Sequence, residues 1–211
     1  MTAPSADEPA IALDSLLFVL RERVGANKAD ESPALVEPFD VPIPGGVATM
    51  APAWFDLVGD LQLRLVRHTA DHVMALHASE LDELQLDVDA ALALALANLH
   101  RLHGAPEACA WHDLQRVRGR DEDMDSAYFL DRAFWRQRLA QHPDGLVAAV
   151  PRTDLLLFAP LADAAAVDSM RRGIPGLHAG GGGYRLSSAL FLFKEDRWRV
   201  FQPALPVPAE S

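Results

Sequence analysis

Cysteine and lysine are scarce in this chain of 211 residues. Cys109 is its only cysteine, so no internal disulfide can form and a zinc site built on several cysteines is excluded. Lys28 and Lys194 are its only lysines, so arginine supplies most of the positive charge. The cysteine usage suits a reducing compartment.

Long hydrophobic runs are also missing. The longest, Ala90 to Ala97 and Leu155 to Pro160, are far shorter than the roughly 20 residues that a helix needs to cross a bilayer. Near the N-terminus, Asp7, Glu8 and Asp14 stand where a secretory signal carries positive charge before an apolar core. We therefore expect a cytoplasmic protein with no transmembrane helix and no membrane partner.

Signatures of catalysis and of cofactor binding are absent from the sequence. There is no Gly-x-Ser-x-Gly turn, and Ser187 and Ser188 fall in a predicted strand. Cys109 has His112 three residues later, but a catalytic pair requires a geometry that spacing alone does not supply. The sequence therefore predicts no catalytic residue and no cofactor, and it favours a protein that is not an enzyme.

Four consecutive glycines, Gly180 to Gly183, come closest to a phosphate-binding loop. Such a loop needs a strand before it and a helix N-terminus after it, usually with Gly-Lys-Ser/Thr. Here a predicted helix comes before, a predicted strand comes after, and no lysine follows until Lys194. We interpret the run as a flexible entry to the last hairpin.

Eight histidines raise the question of a metal site. His100 and His103 lie three residues apart near a predicted helix end, where the helix dipole alone favours histidine. Three more cluster around the first predicted hairpin: His68, His72 and His77. The His-Glu-x-x-His signature of a helix-bound zinc is absent, so no metal site is predicted, and His100 and His103 would be the ligands if one formed.

A dense acidic turn follows a run of arginines. Its carboxylates belong to Asp121, Glu122, Asp123 and Asp125. They lack the regular spacing and the glycine of an EF-hand loop. The arginines just upstream, Arg116, Arg118 and Arg120, bring the local charge close to zero. We therefore predict a self-compensating turn, with no cation and no nucleic-acid partner.

Hydrophobic periodicity predicts an α+β fold with a mainly antiparallel sheet of about five to seven strands built from hairpins, packed against three or four helices. The paired strands are predicted at residues 60–67 with 72–78, 145–150 with 154–159, and 184–193 with 197–202. The main core helix is predicted to begin after Asp87 and to end at Gly104.

Shorter elements complete this prediction. Ser79 and Asp131 are expected to cap helices, and residues 114–118 and 126–130 are expected to be strands. A short helix over residues 163–172 is expected to stop before Pro175 and Gly176.

The N-terminal quarter is predicted to lie outside the main domain. Apolar residues at helical spacing predict an amphipathic helix over residues 8–24, and the many prolines and glycines of residues 25–53 predict an extended connection. Three parts result: residues 1–53 as an N-terminal helix with a proline-rich arm, residues 54–203 as the α+β domain, and residues 204–211 as a flexible tail.

The order of segments resembles the YtpQ-like family of uncharacterised bacterial proteins over about residues 54–203. The resemblance rests on the strand that begins Asp60-Leu61, on the helix that ends Leu96-Ala97-Asn98-Leu99, on "MDSAYFLDRAFW", on the hairpin "LVAAVPRTDLLLF" and on the terminal "YRLSSALFLFKEDRWRVF". This chain departs from the family pattern at two places. Met124 stands where family members usually have an aromatic residue, and Arg152-Thr153 stands where they usually have Asn-Arg. The resemblance implies an α+β domain in the bacterial cytosol and no particular reaction.

The excess of negative charge lies in the first half of the chain. Residues 1–105 hold 16 acidic and 6 basic residues, whereas residues 106–211 hold 14 and 13. The densest run, "SELDELQLDVD", falls at two predicted helix starts, where the helix dipole accommodates negative charge. Its carboxylates, which we call the acidic edge, belong to Glu80, Asp82, Glu83, Asp87 and Asp89.

Two hypotheses for function follow from the sequence. In the first, the protein is a non-enzymatic binding module of the inhibitor, immunity or adaptor type, and its acidic edge contacts a basic partner protein. In the second, it binds or transforms a small molecule beside the central hairpin. In this second hypothesis Arg152 and Asp154 hold a polar ligand. The resemblance to the family adds Asn98 and Asp125 as further candidates.

Overall fold

The computed structural model describes residues 12–68 and 72–205. Within them the predicted α+β class is confirmed, and all strands pair antiparallel. The strands are β1 (Leu16–Glu22), β2 (Ala34–Leu35), β3 (Phe39–Ile43), β4 (Gly46–Met50), β5 (Trp54–Val58), β6 (Leu61–His68), β7 (Val73–Ala75), β8 (Glu107–Trp111), β9 (Leu114–Arg118), β10 (Leu146–Arg152), β11 (Leu155–Pro160), β12 (Leu190–Lys194) and β13 (Arg197–Gln202). The α-helices are α1 (Ala78–Glu83), α2 (Val88–His103), α3 (Arg132–Leu139) and α4 (Ala164–Ala179).

The strands form two sheets and a separate hairpin, where the sequence predicted one sheet. The first sheet has the order β1-β6-β5-β2, with β7 also pairing to β6. The second has the order β13-β12-β10-β11-β9-β8, and β3 pairs with β4 alone. All three predicted hairpins are confirmed, including the pairing of β6 with β7, whose connecting residues 69–71 lie outside the described range.

The predicted N-terminal helix is wrong over its described part. Leu16–Glu22 is a strand that pairs with β6 from Leu16 opposite Arg67 to Glu22 opposite Leu61. Four of its first five residues are almost fully buried, as a short apolar run with both faces covered requires. Residues 8–11 of the predicted helix lie outside the described range. The chain before residue 54 therefore contributes to the same sheet as the chain after it.

The proline-rich segment is more ordered than an extended arm. It contains β2 and the hairpin β3–β4, whose strands are mostly exposed. Pro42 lies within β3, which is consistent with an exposed two-stranded ribbon because proline cannot donate to a sheet ladder. The C-terminal tail predicted from residue 204 is described only as far as Leu205, whose backbone N–H donates to Ser188 Oγ at 2.8 Å.

Two further predictions of local structure are wrong. Residues 126–130 belong to a 3-10 helix, Glu122–Leu130, rather than to a strand, and Asp121 accepts a hydrogen bond from the Asp123 N–H at its start. Helix α4 continues through Pro175 to Ala179. Ile174 and His178, in its last two turns, are buried, so packing outweighs the hydrogen bond that the proline removes.

An aromatic cluster packs the 3-10 helix and α3 against one face of the second sheet. Trp198 is fully buried, and its ring stacks on Phe129 with centroids 4.1 Å apart. Trp135 meets Trp198 edge to face at 4.9 Å. Helix α4 covers the other face of the second sheet, where Val167, Met170 and Ile174 are buried. In the part of the chain that the structure describes, no helix is long and apolar enough to cross a bilayer.

Candidate functional site

The acidic edge lies on α1, on the connection to α2 and on the first turn of α2. Two of its carboxylates hold the helices in place. Glu80 Oε2 accepts a hydrogen bond from the backbone N–H of His77 at 2.6 Å, and Glu80 Oε1 lies 3.2 Å from Arg67 Nη2. Asp87 Oδ1 accepts from the Ala90 N–H at 2.8 Å, so its predicted capping role is confirmed, whereas His77 occupies the cap position predicted for Ser79.

The other three carboxylates have no such role. Asp82, Glu83 and Asp89 are exposed, and their carboxylates form no hydrogen bond or ion pair with any described residue. Asp82 and Glu83 end the six-residue helix α1, where the dipole disfavours negative charge. Helix stability therefore explains Glu80 and Asp87 but not this pair. Asp89, in the first turn of α2, does have a favourable position on its helix.

Asp125 and Asp154, from the second hypothesis, meet through Arg116. Arg116 Nη2 lies 3.1 Å from Asp125 Oδ2 and donates to the Asp154 carbonyl at 2.9 Å. Asp125 is fully buried, and its Oδ1 accepts from the Gly119 N–H at 2.8 Å. Burial raises the pKa of Asp125 to about 6, although these hydrogen bonds and the nearby arginines oppose the shift. Arg116 therefore bridges the Asp125 carboxylate and the Asp154 backbone.

Arg152 and Asn98 are also occupied by contacts within the chain. The Arg152 guanidinium holds the Asp154 carboxylate with two hydrogen bonds, at 2.9 and 2.6 Å. Asn98 is buried in α2, and its Nδ2 donates to the carbonyls of Leu13 and Leu16, at 2.8 and 2.9 Å. The structure therefore brings Asp125 and Asp154 together and gives Asn98 a different position, beside the start of β1.

Replacing Asn98 with alanine tests whether its role is structural. Two carbonyls next to β1 would lose their donor, so we expect Asn98→Ala to lower the free energy of unfolding by about 1–3 kcal/mol. The measurement is urea unfolding followed by circular dichroism. Ala97→Ser, at an exposed position of the same helix, is the control and should change stability by less than about 0.5 kcal/mol. Equal stability of Asn98→Ala and the wild type would contradict this role.

A polar cluster that the sequence did not reveal joins the end of β1, the turn between β5 and β6, α4 and the chain before β12. Asp60 is buried, and Ser187 Oγ donates to its Oδ1 at 2.5 Å. Burial raises the pKa of Asp60 to about 6, the Ser187 hydrogen bond opposes that shift, and the nearby Glu22 carboxylate adds to it. Glu22 in turn lies 3.3 Å from Arg185 Nε, and 3.3 Å from His178 Nε2 in a contact not aligned as a hydrogen bond.

The glycine run lies next to this cluster. Gly180 ends α4, and Gly182–Tyr184 forms a single 3-10 turn before the chain becomes extended at Arg185. A helix therefore precedes the run, as predicted, but the strand predicted from residue 184 begins only at Leu190, so Ser187 and Ser188 lie before it. Within the described residues no helix N-terminus follows the glycines, as a phosphate loop would require.

The histidines near the end of α2 pair separately. His100 Nε2 lies 2.7 Å from Asp131 Oδ2, and His103 Nδ1 lies 3.4 Å from Asp121 Oδ2. Burial lowers the pKa of His103. Asp131 Oδ1 also accepts from the Phe134 N–H at 3.1 Å, which confirms its predicted capping role. Among residues 12–68 and 72–205, no three histidine, cysteine or acidic side chains are grouped so that they could hold a metal ion.

Comparison of the chain with protein-family models, with curated proteins and with solved structures found no match. The resemblance to the YtpQ-like family therefore stays a prediction.

Proposed function

We propose that the protein is a non-enzymatic binding module of the inhibitor, immunity or adaptor type, which recognises a basic partner protein through the acidic edge. The observation that carries this proposal is the set of three exposed carboxylates that have no partner among residues 12–68 and 72–205: Asp82, Glu83 and Asp89. Two of them lie at the helix end where negative charge is disfavoured. A partner that supplies lysine or arginine side chains would remove this unfavourable interaction.

The charge of the whole chain supports the same proposal. The formal net charge is −11, and the acidic edge belongs to the half that carries most of it. A field of this sign accelerates encounter with a basic surface and repels nucleic acid and anionic membranes. Bacterial origin and a cytoplasmic location form part of the proposal, since they rest on the family resemblance and on the cysteine usage.

The small-molecule hypothesis is not carried forward because no observation favours it. The polar groups of Asn98, Asp125, Arg152 and Asp154 are engaged within the chain. Four cavities of about 360 to 460 Å³ lie beside Gln115, Arg118, Leu92 and Trp111. None of them is lined by any of these four polar residues.

Charge reversal at the three exposed carboxylates tests the proposed function. The triple variant Asp82→Lys, Glu83→Lys, Asp89→Lys is expected to weaken partner binding about tenfold or more, because each exposed ion pair contributes roughly 0.2–1 kcal/mol and reversal adds repulsion. The wild type is used to capture its partner from the native cell. The dissociation constant of that complex is then measured at about 0.05 and about 0.5 M salt, where screening should weaken it.

A matched variant keeps the same change in net charge. Glu37, Glu107 and Asp144 are exposed, lie on other parts of the chain and form no side-chain ion pair with described residues. The variant with these three residues reversed to lysine should bind the partner much more tightly than the variant with Asp82, Glu83 and Asp89 reversed. Equal binding by the wild type and both variants, or binding that is insensitive to salt, would refute the proposed function.

A further inference from the structure

An open groove runs along α2 next to the acidic edge. It has a volume of about 430 Å³. One wall is a face of α2 that carries Leu92, Ala93 and Leu96, and the fully buried Phe18 contributes to the floor. The opposite wall includes Pro33. The groove therefore offers apolar surface that the described residues leave partly uncovered.

The spacing of residues on α2 links this groove to the acidic edge. Leu92, Ala93 and Leu96 follow Asp89 at positions i+3, i+4 and i+7, so all four lie on one face of the helix. At a rise of about 1.5 Å per residue, this face is about 10 Å long. Asp89 also lines the groove, and it has no partner among the described residues.

The other charges of the groove are at least partly satisfied within the chain. The Glu31 carboxylate pairs with Arg132 and accepts from the Trp198 N–H at 3.0 Å. Arg197 Nη2 lies 3.8 Å from Glu195 Oε2. Asp89 is therefore the acidic group of the groove that remains for an incoming cation, and the apolar surface beside it remains for an incoming hydrophobic side chain.

We propose that this groove binds an amphipathic segment of the basic partner. An aliphatic or aromatic side chain of that segment packs over Ala93 between Leu92 and Leu96. A lysine or arginine three or four residues away pairs with Asp89. This inference rests on the proposed function and deepens it, because the acidic edge then supplies attraction while the groove selects the segment that binds. Asp89 belongs to both the acidic edge and the groove. We therefore expect an occupant that carries a positive charge and an apolar side chain together.

Peptide selection identifies the segment without knowledge of the natural partner. The full chain is used as bait for a displayed library of random peptides, and the enriched peptides are synthesised for fluorescence anisotropy. We expect them to share an apolar residue and a lysine or arginine at a spacing of three or four residues. A lack of enrichment, or enriched peptides without this pair, would overturn the inference.

Filling the groove is the second arm of the test. Ala93 is exposed, so tryptophan fits there without disturbing the core, and Ala93→Trp should weaken binding of the selected peptides at least tenfold. Ala165→Trp adds the same side chain at an exposed position of α4 and should change binding less than twofold. Equal thermal stability of both variants and the wild type shows that each is folded.

The outcomes separate this inference from the proposed function. Suppose that charge reversal at Asp82, Glu83 and Asp89 abolishes capture of the cellular partner while Ala93→Trp leaves capture and peptide binding intact. The groove is then not the binding site, and the proposed function stands. If reversal has no effect, both fall. A wild-type dimer in sedimentation analysis that Ala93→Trp dissociates would show that a second copy fills the groove, which also overturns the inference.

Discussion

Trp198→Ala is expected to lower the free energy of unfolding by about 3–5 kcal/mol, as removal of a large buried aromatic typically does. Trp198 is fully buried on β13, and it contacts side chains from three other parts of the chain. Its ring stacks on Phe129 at 4.1 Å and meets Phe193 and Trp135 at 4.9 Å each. The substitution therefore opens a cavity where the 3-10 helix, α3 and the second sheet meet.

Urea unfolding monitored by circular dichroism measures this loss. Trp198→Phe keeps most of the ring contacts but removes the Nε1 hydrogen bond to the Phe129 carbonyl, which spans 3.0 Å. It should cost less than Trp198→Ala, about 1–3 kcal/mol. Trp111→Ala, at a half-buried site on β8, serves as the control for loss of a tryptophan. A loss for Trp198→Ala no larger than that of the control would show that the cluster does not stabilise the fold as described.

The elements that the sequence predicted well are those whose signals are local. Asp87 and Asp131 cap helices because each side chain accepts a hydrogen bond from an N–H three residues later. Gly104 ends α2 at a φ of 82°, a conformation that glycine adopts easily. The turn between β12 and β13 is indicated by the short polar break between two apolar runs, although Glu195 and Asp196 both adopt a positive φ that non-glycine residues rarely do. Short-range chemistry was sufficient at each of these positions.

The wrong predictions come from contacts between distant parts of the chain. The apolar spacing of residues 8–24 fits a helix, but β6 pairs with Leu16–Glu22, and packing against the rest of the fold buries four of the first five residues of this strand. Pro175 is a helix-breaking signal by itself, yet the buried contacts of Ile174 and His178 keep α4 intact beyond it. In both cases a distant part of the same chain decides between the local preference and the packing. Sequence periodicity does not reveal which part that is.

The candidate site was only partly predictable for the same reason. The acidic edge is contiguous in sequence, so the sequence reveals its charge. The sequence does not reveal that Glu80 and Asp87 accept hydrogen bonds at helix starts while Asp82 and Glu83 stand at a helix end, because that depends on where the helices begin and end. The groove brings Phe18, Asp89 and Arg197 together from distant positions. Asp60 and Ser187 are 127 residues apart, and neither lies in a motif that predicts their hydrogen bond.

Buried Asp60 is expected to make stability depend on pH between about 4 and 7. Its pKa is about 6 in the folded chain against a model-compound value of 3.8, because burial disfavours the charged carboxylate. Over this interval the folded chain binds more protons than the unfolded chain, so stability falls as pH rises. The contribution of Asp60 is complete below the unfolded pKa and is lost as pH passes the folded one, a change of up to about 3 kcal/mol. Asp125, also at about 6, acts in the same direction.

Asp60→Asn removes the titrating group but keeps an oxygen that can accept from Ser187. We expect the variant to unfold with a smaller pH dependence than the wild type, and to be more stable than the wild type by roughly 1–3 kcal/mol near pH 8, where the wild-type carboxylate is charged and buried. Urea unfolding between about pH 5 and about pH 8 measures both. Asp144→Asn, at an exposed carboxylate before β10, should follow the wild-type profile. Parallel profiles for Asp60→Asn and the wild type would mean that Asp60 stays charged throughout, and that the polar cluster around it is hydrated.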